Sequence, residues 1–530
     1  MARISIYDST LRDGAQAQGI SYSVDDKIKI VERLDALGIG YIEAGNPGSN
    51  PKDLEFFARA ASLKLANARI IAFGATRKVG IPVADDANIQ SLLKAGTAAI
   101  AIFGKSWDYQ ALEILRTTLE ENLAMIGDTV RYLKRHGKEV VFDAEHFFDG
   151  YKDNPEFALK TLAAAVEAGA DSVALCDTNG GSFPDEIFEI TRTVCQRFPK
   201  AAVGIHCHND SEMAVANSIR AVQAGATQVQ GTINGLGERC GNANLCSIIP
   251  NLQLKLGHDC IPADAMRHLT TTSRSVAEIA NMPHNDKAPY VGSHAFAHKG
   301  GMHIDAVVKN PISYEHVNPE LVGNSRRMLM SEVAGRSMLL ARINAVDPTL
   351  AKDSPETRGI VDKLKELEHE GYQFEAAESS FELVVRKMLG RYTPFFELVE
   401  FKVIVSEPCV NEEANSSVII KVRVGDQEVL TVAEGDGPVN ALDRAARKAL
   451  ERLYPAIGEI RLTDYKVRVL DSDKASAAKV RVLVESTDGR ENWTTIGVST
   501  DIINASWQAL VDAMEYKLIR DQEPKSPPRL

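Results

Sequence analysis

At 530 residues the chain is too long for one ordinary folding unit, and two or three are expected. Its 44% hydrophobic and 25% charged residues are the balance of a globular protein, and a net charge of −12 argues against a nucleic-acid partner, whose phosphates want a basic face. No apolar run approaches the roughly 20 residues that span a bilayer. The opening MARISIYDST enters a strand pattern at once, which leaves no room for a signal peptide, and seven scattered cysteines without CxxC spacing read as reduced thiols of the cytoplasm.

In chain order the strand candidates are RISIYDSTL (3–11), LGIGYIEAG (37–45), ARIIAFGAT (68–76), AGTAAIAIFG (95–104), EVVFDAEH (139–146), AGADSVALCD (168–177), AAVGIHCHND (201–210) and AGATQVQGTI (224–233). Four of them share one pattern, a glycine closing a helix and running directly into an apolar strand. Segments 24–37, 109–137, 155–168 and 211–224 carry helical apolar spacing between the strands. Eight strands alternating with helices predict an α/β fold, a (β/α)8 TIM barrel over residues 1–260, with a doubly wound sheet as the alternative.

Residues 261–395 read as a mostly helical linker subdomain, broken at HKGGMH (298–303) and KNPISYEH (309–316). From 396 to 525 the pattern becomes a duplicated α+β domain. FELVEFKVIVSEP (396–408) and SSVIIKVRVGDQEVLTVAEG (416–435) precede the helix VNALDRAARKALERLY (439–454). EIRLTDYKVRVL (459–470) and AAKVRVLVESTDGRENWTTIGVST (477–500) precede NASWQALVDAMEYKLI (504–519). The predicted repeat is two strands and a helix. The tail DQEPKSPPRL reads as frayed.

Active sites of such barrels lie at the C-terminal strand ends. Those ends carry Arg12, Asp13 and Gln16, then Asp143, Glu145 and His146, then Asp177 and Thr178, then His206, His208 and Asn209, and finally NGLGERCGNAN. Residues two apart on a strand share a face, so His206 and His208 project together while Cys207 points away. With Asp13 they make a candidate metal triad, and Asn242 is a candidate fourth ligand; Mg, Mn, Co and Zn all suit mixed oxygen and imidazole donors.

Arg12 is placed to polarise a substrate carbonyl, or else to form a structural ion pair. Glu145 is either an acid–base group or the partner that fixes Arg12. Thr178 either bonds a substrate carboxylate or caps locally. Cys176, Cys195, Cys246, Cys260 and Cys409 have no base beside them in sequence and read as packing residues. His294 and His298 share a helical spacing that suits packing better than a second metal. His303, after a Gly-Gly break, is a candidate general base from outside the barrel, with Asp305 and Tyr314 near it in sequence.

DSTLRDGAQ (8–16), HCHND (206–210), GLGERCGNANL (235–245) and KGGMHIDAV (299–307) resemble the signatures of the DRE-TIM metallolyases. More closely they resemble the acyl-CoA condensing branch of 2-isopropylmalate, homocitrate and citramalate synthases. The resemblance runs through the barrel and linker to about residue 390, and the duplicated unit is similar to the regulatory domain of that branch. It implies a divalent metal (Mn, Mg or Zn) held by Asp13, His206, His208 and Asn242, and acetyl-CoA as co-substrate. It implies that Arg12 polarises a 2-oxo acid, with Gln16, Glu145 and Thr178 around its carboxylate and carbonyl. His303, assisted by Asp305 and Tyr314, would help deprotonate the acetyl group, often reaching the partner subunit's site, which implies a homodimer. The opening, with Ala15 where much of the wider family has Glu, is closer to citramalate synthases. Pyruvate is therefore the expected acceptor and 2-oxoisovalerate the alternative, with Phe73, Phe103 and Tyr109 as candidates for closing a small pocket. Gly435–Pro438 and Gly497–Thr500, before the two C-terminal helices, are candidate contacts for an isoleucine effector. A lyase of the hydroxymethylglutaryl-CoA type and a non-catalytic amino-acid sensor are the competing classes.

Overall fold

The computed structural model describes residues 2–328, 343, 346–347, 349–350, 354–374, 377–406, 415–470, 478–489 and 491–522. Cys409 and the tail from 523 onward lie outside the described residues. The chain divides into two compact units, Met1–His298 with Ala306–Arg327, and Lys299–Asp305 with Met328–Leu530.

The first unit is built on eight parallel strands: β1 (Ser5–Asp8), β2 (Tyr41–Gly45), β3 (Arg69–Ala75), β4 (Ala99–Lys105), β5 (Glu139–Glu145), β6 (Ser172–Asp177), β7 (Ala202–Cys207) and β8 (Gln228–Gly231). They close in sequence order, β1 pairing with both β2 and β8, so the expected barrel is present and the doubly wound alternative is not. The first helix, α1 (Val24–Leu37), shows why the segments alternate. Ser23 and Asp26 form a capping box at its start. Ile30, Leu34 and Leu37, at helical spacing, are wholly buried in the core around the barrel. Gly38 then takes φ 88°, the left-handed turn that hands the chain to β2. The glycines of the three similar passages, Gly96, Gly169 and Gly225, also have positive φ (72°, 99° and 118°).

The segment predicted as one helix over 109–137 is broken. A π-turn at Gln110–Ile114 is followed by Arg116 at φ 54°, and a new helix, Leu119–Arg135, starts where the Thr118 hydroxyl accepts from the Glu121 N–H. Inside the barrel, Tyr7, Ile71, Ala99, Ala101 and Val141 pack together. Two residues further along β3, β4 and β5 the same inward face carries Phe73, Phe103 and Asp143, and Glu145 lies beyond that on β5. Along β5 the apolar floor thus gives way to carboxylates, while β3 and β4 keep an aromatic pair at the same level.

After the barrel come helices Leu269–Ile279, Gly301–Lys309, Pro355–Glu370 and Glu378–Met388. Two-residue strands β9 (Ala297–His298) and β10 (Arg327–Met328) pair with each other. The duplication from 396 is present, but each half has three strands and a helix, not two. The first half holds β11 (Glu397–Ser406), β12 (Asn415–Val424) and β13 (Gln427–Gly435), then helix Pro438–Leu450. The second holds β14 (Arg461–Val469), β15 (Val480–Thr487) and β16 (Asn492–Ser499), then helix Ile502–Gln522. Stretch 416–435 contains a two-residue hairpin at Gly425-Asp426, with Val424 paired to Gln427 and Gly425 at φ 57°. Val418, Ile420 and Val422 are buried with Ala441, Ala445 and Ala449 in one half; Val482 and Val484 are buried with Ala505 and Ala509 in the other.

Candidate active site and metal centre

His206 and His208 lie one strand step apart, both buried, with ring centroids 5.2 Å apart. Cys207, between them, is buried in the outer core. Gln230 on β8 donates from Nε2 to Asp143 Oδ1 at 2.9 Å, which turns its Oε1 toward His206 Nδ1, also at 2.9 Å. His206 Nδ1 therefore carries the proton, and Nε2 is left as a lone pair facing Asp13 Oδ2, 3.7 Å away. His208 Nε2 lies 3.9 Å from the same oxygen. Asp13, His206 and His208 each offer a ligand atom within 4.8 Å of the others, the only such group among the described residues.

Two further observations fit a cation here. Asn242 donates from Nδ2 to Asp13 Oδ1 at 2.9 Å and to the Leu236 carbonyl at 3.1 Å, leaving its buried Oδ1 without a protein partner. His208 Nδ1 is likewise buried and unpartnered. Unpaired buried polar atoms cost about 1–3 kcal/mol each, so they call for an explanation. Burial, then the neighbouring His206, pushes the His208 imidazolium down to about 4, so the ring is neutral and ligand-ready at pH 7. Burial alone would raise the Asp13 carboxyl; Arg12 and the two imidazoles outweigh it and hold Asp13 well below the usual range. One carboxylate, two neutral imidazoles and a free amide oxygen are a donor set for a divalent metal.

The loop after β8 brings Asn242 in. A β-carbon on Gly237 would come 2.1 Å from Asn242 Nδ2, so glycine is required for the amide to lie against the loop. Arg239 clamps the same loop by a two-pronged bond to Asp210 and a bond to the Thr178 carbonyl, all at 2.8 Å.

Arg12 is fixed by Glu43, which accepts from its Nε, and by Asp13 Oδ2, 3.1 Å from its Nη1. Glu43 is wholly buried and also accepts from the Tyr7 hydroxyl and from Ser9 Oγ at 2.6 Å. The guanidinium lies 3.9 Å over the Phe73 ring, which stacks on Phe103 at 5.3 Å. Arg12 is thus held by a carboxylate on one edge and an aromatic face below.

Glu145 does not fix Arg12; it pairs with Lys105, the last inward residue of β4. The Thr178 hydroxyl accepts from the His146 N–H at 2.8 Å, a local bond. Gln16 is exposed at the rim of a cavity of about 280 Å³, lined also by Arg12, Asn46, Lys52 and Phe73. Tyr109 is 48% exposed and packs on Trp107. His303 and Asp305 share helix Gly301–Lys309 and fall in the second unit, while Tyr314 follows the Pro311–Ser313 turn in the first. The structure therefore gathers Arg12, Asp13, His206, His208 and Asn242 into one cluster around Asp13, with Glu145 and Thr178 engaged by other partners. His298 pairs with Glu315 at 3.1 Å. Cys176 and Cys207 are buried and their thiols are pushed well up by burial, as packing residues should be.

Sequence reasoning missed Glu43, Lys105 and Gln230. Each sits on an inward strand position, and the available signal was a charged or amide side chain at period two within an otherwise apolar barrel strand.

Fold and site together define a barrel enzyme with a centre for a divalent metal. The family model described as HMGL-like matches residues 3–301, the homocitrate synthase post-HMGL domain-like model matches 290–372, and the LeuA allosteric (dimerisation) domain matches 375–518. The (R)-citramalate synthase of Aquifex aeolicus is 54% identical over 98% of this chain and 99% of its own. Sulfolobus acidocaldarius supplies two useful relatives. Its (R)-citramalate synthase is 46% identical over 99% of this chain and 98% of its own, and its 2-isopropylmalate synthase 35% over 71% and 94%. The chain belongs to the (R)-citramalate synthase family within the HMGL-like enzymes. No helix among the described residues is long and apolar enough to cross a membrane.

Proposed function

We propose that this chain is an acyltransferase that condenses acetyl-CoA with pyruvate and hydrolyses the thioester, releasing (R)-citramalate and CoA. The observation that carries the reading is near full-length identity to (R)-citramalate synthases, of which the most similar reported above is 54% identical. The Asp13, His206 and His208 group supports it with a metal centre of the right chemistry.

In this reading Asp13, His206, His208 and Asn242 hold Mn, Mg or Zn, and the bound cation would supply Lewis-acid polarisation of the acceptor ketone. Arg12, kept charged and oriented by Glu43, stabilises the alkoxide that forms as the ketone carbon is attacked. Gln16, Glu145 and Thr178 orient the pyruvate carboxylate and carbonyl. His303, with Asp305 and Tyr314, takes a proton from the acetyl methyl group, and the resulting carbon nucleophile forms the new C–C bond. Water then adds to the thioester, the C–S bond breaks, and CoA leaves as the thiol. In this reading the stacked pair Phe73–Phe103 is the wall that would exclude the branched side chain of 2-oxoisovalerate and admit a methyl ketone.

The product belongs on a threonine-independent route to isoleucine, and isoleucine is the proposed effector of the C-terminal repeat. The match of residues 375–518 to the LeuA allosteric (dimerisation) domain supports regulation there and a homodimer. A cytoplasmic setting suits the chain's seven cysteines, scattered without disulfide spacing.

The test is CoA thiol release by purified, Mn- or Mg-loaded enzyme, with pyruvate and 2-oxoisovalerate compared at equal concentration. A strong preference for pyruvate is expected. Preference for 2-oxoisovalerate would make the chain a 2-isopropylmalate synthase with the same mechanism, and silence with both would overturn the condensation.

A further inference from the structure

A second charged cluster involves residues outside the metal group. The Glu315 carboxylate accepts from Arg326 Nε and Nη2, both at 2.6 Å, and from His298 Nε2 at 3.1 Å. The Glu315 and His298 side chains are only 3% and 9% exposed, Arg326 32%. Burial works to raise the Glu315 carboxyl, but the bonds from Arg326 and His298 hold it below its ordinary value. The backbone repeats the tie, since β9 pairs with β10 and the Arg327 N–H donates to the Phe296 carbonyl at 3.0 Å.

His298 directly precedes Lys299 in the chain, and Glu315 directly follows Tyr314. Residues 299–314, which carry His303, Asp305 and Tyr314, therefore leave and return through one buried carboxylate. A two-pronged arginine bond fixes orientation as well as distance. Tying both ends of a segment removes conformations it would otherwise sample. That matters for a base, because a displacement of about 1 Å can cost about 100-fold in rate.

We propose that Glu315, held by Arg326 and His298, is a positioning residue that fixes the 299–314 segment so that His303 and Tyr314 meet the acetyl group in one geometry. The inference rests on the reading of His303 as the base. A purely structural tie would lower stability while leaving turnover per folded molecule unchanged.

The experiment uses full-length, metal-loaded enzyme carrying Glu315→Gln or Arg326→Lys. The second variant keeps the charge, loses the fork, and lies at a partly exposed position, so it remains informative if Glu315→Gln does not fold. Relative to wild type, kcat should fall about 100-fold in Glu315→Gln and about 10-fold in Arg326→Lys. Pyruvate KM and bound metal should stay within about twofold, and the isotope effect with methyl-deuterated acetyl-CoA should rise as proton removal becomes slower. Turnover within about twofold of wild type in the folded variants would overturn the proposal, as would joint loss of kcat, pyruvate affinity and metal. Full turnover in a parallel His303→Asn enzyme would overturn the base reading and this inference with it, whereas full turnover in the Glu315 and Arg326 variants alone would overturn only the inference.

Discussion

Gln230 decides which nitrogen of His206 is free, because its own amide is oriented by Asp143. Asp143 plays this part as a carboxylate that accepts the hydrogen bond from Gln230 Nε2; burial and the nearby Glu43 push its carboxyl up to about 6, so it is mostly ionised at pH 7. Gln230→Leu removes the relay without replacing a proposed metal ligand. Partners that orient a ligating histidine are typically worth 10–100-fold in metal affinity, and a loss of about that size is expected, read by metal titration against a competing chelator. Unchanged affinity would mean that His206 is oriented by packing alone. The histidine pair and Asp13 were legible in the sequence because HxH at strand spacing and Arg-Asp after a strand are chemically distinctive. Gln230 and Glu43 were not, because each lies inside a strand whose apolar neighbours dominate the pattern, and their meaning depends on which strand faces them across the barrel.

At the scale of elements, the helix–glycine–strand pattern marked four of the eight barrel strands, since each passage of the form AGADSVALCD carries both the helix stop and the buried strand. The C-terminal hairpins stayed hidden for a related reason. A two-residue turn at Gly425-Asp426 leaves the alternation of VIIKVRV and QEVLTVA almost unbroken, so two strands read as one. The loop after β8 shows the opposite case, a short motif whose glycine has one specific duty. Gly237→Ala would drive a β-carbon to 2.1 Å from Asn242 Nδ2, and the amide must leave Asp13 to relieve it. The expected result is about a 10-fold loss of metal affinity with unchanged helical content by circular dichroism. A variant that binds metal within about twofold of wild type would show that the loop adjusts and that Asn242 is not held by it.

For the whole molecule, the proposed regulation requires that the barrel and the duplicated unit communicate through a coupling free energy, and such a coupling is reciprocal. The two halves of the C-terminal unit bring their helices close to the sheet at glycines: a β-carbon would meet Asn440 Oδ1 at 2.4 Å from Gly435 and the Ala505 carbonyl at 2.0 Å from Gly497. An effector seated beside these helix starts can bias the unit only by binding one arrangement of it better than another. If isoleucine weakens acetyl-CoA binding by some factor, acetyl-CoA must weaken isoleucine binding by the same factor; typical couplings are about 5–150-fold. Calorimetric titration of isoleucine, with and without saturating acetyl-CoA and with no 2-oxo acid present, measures one side; acetyl-CoA titration with and without isoleucine measures the other. Equal factors are expected. An isoleucine affinity that ignores acetyl-CoA while turnover still falls would move the effect from substrate binding to the chemical steps, and no isoleucine binding at all would leave the duplicated unit with dimerisation alone.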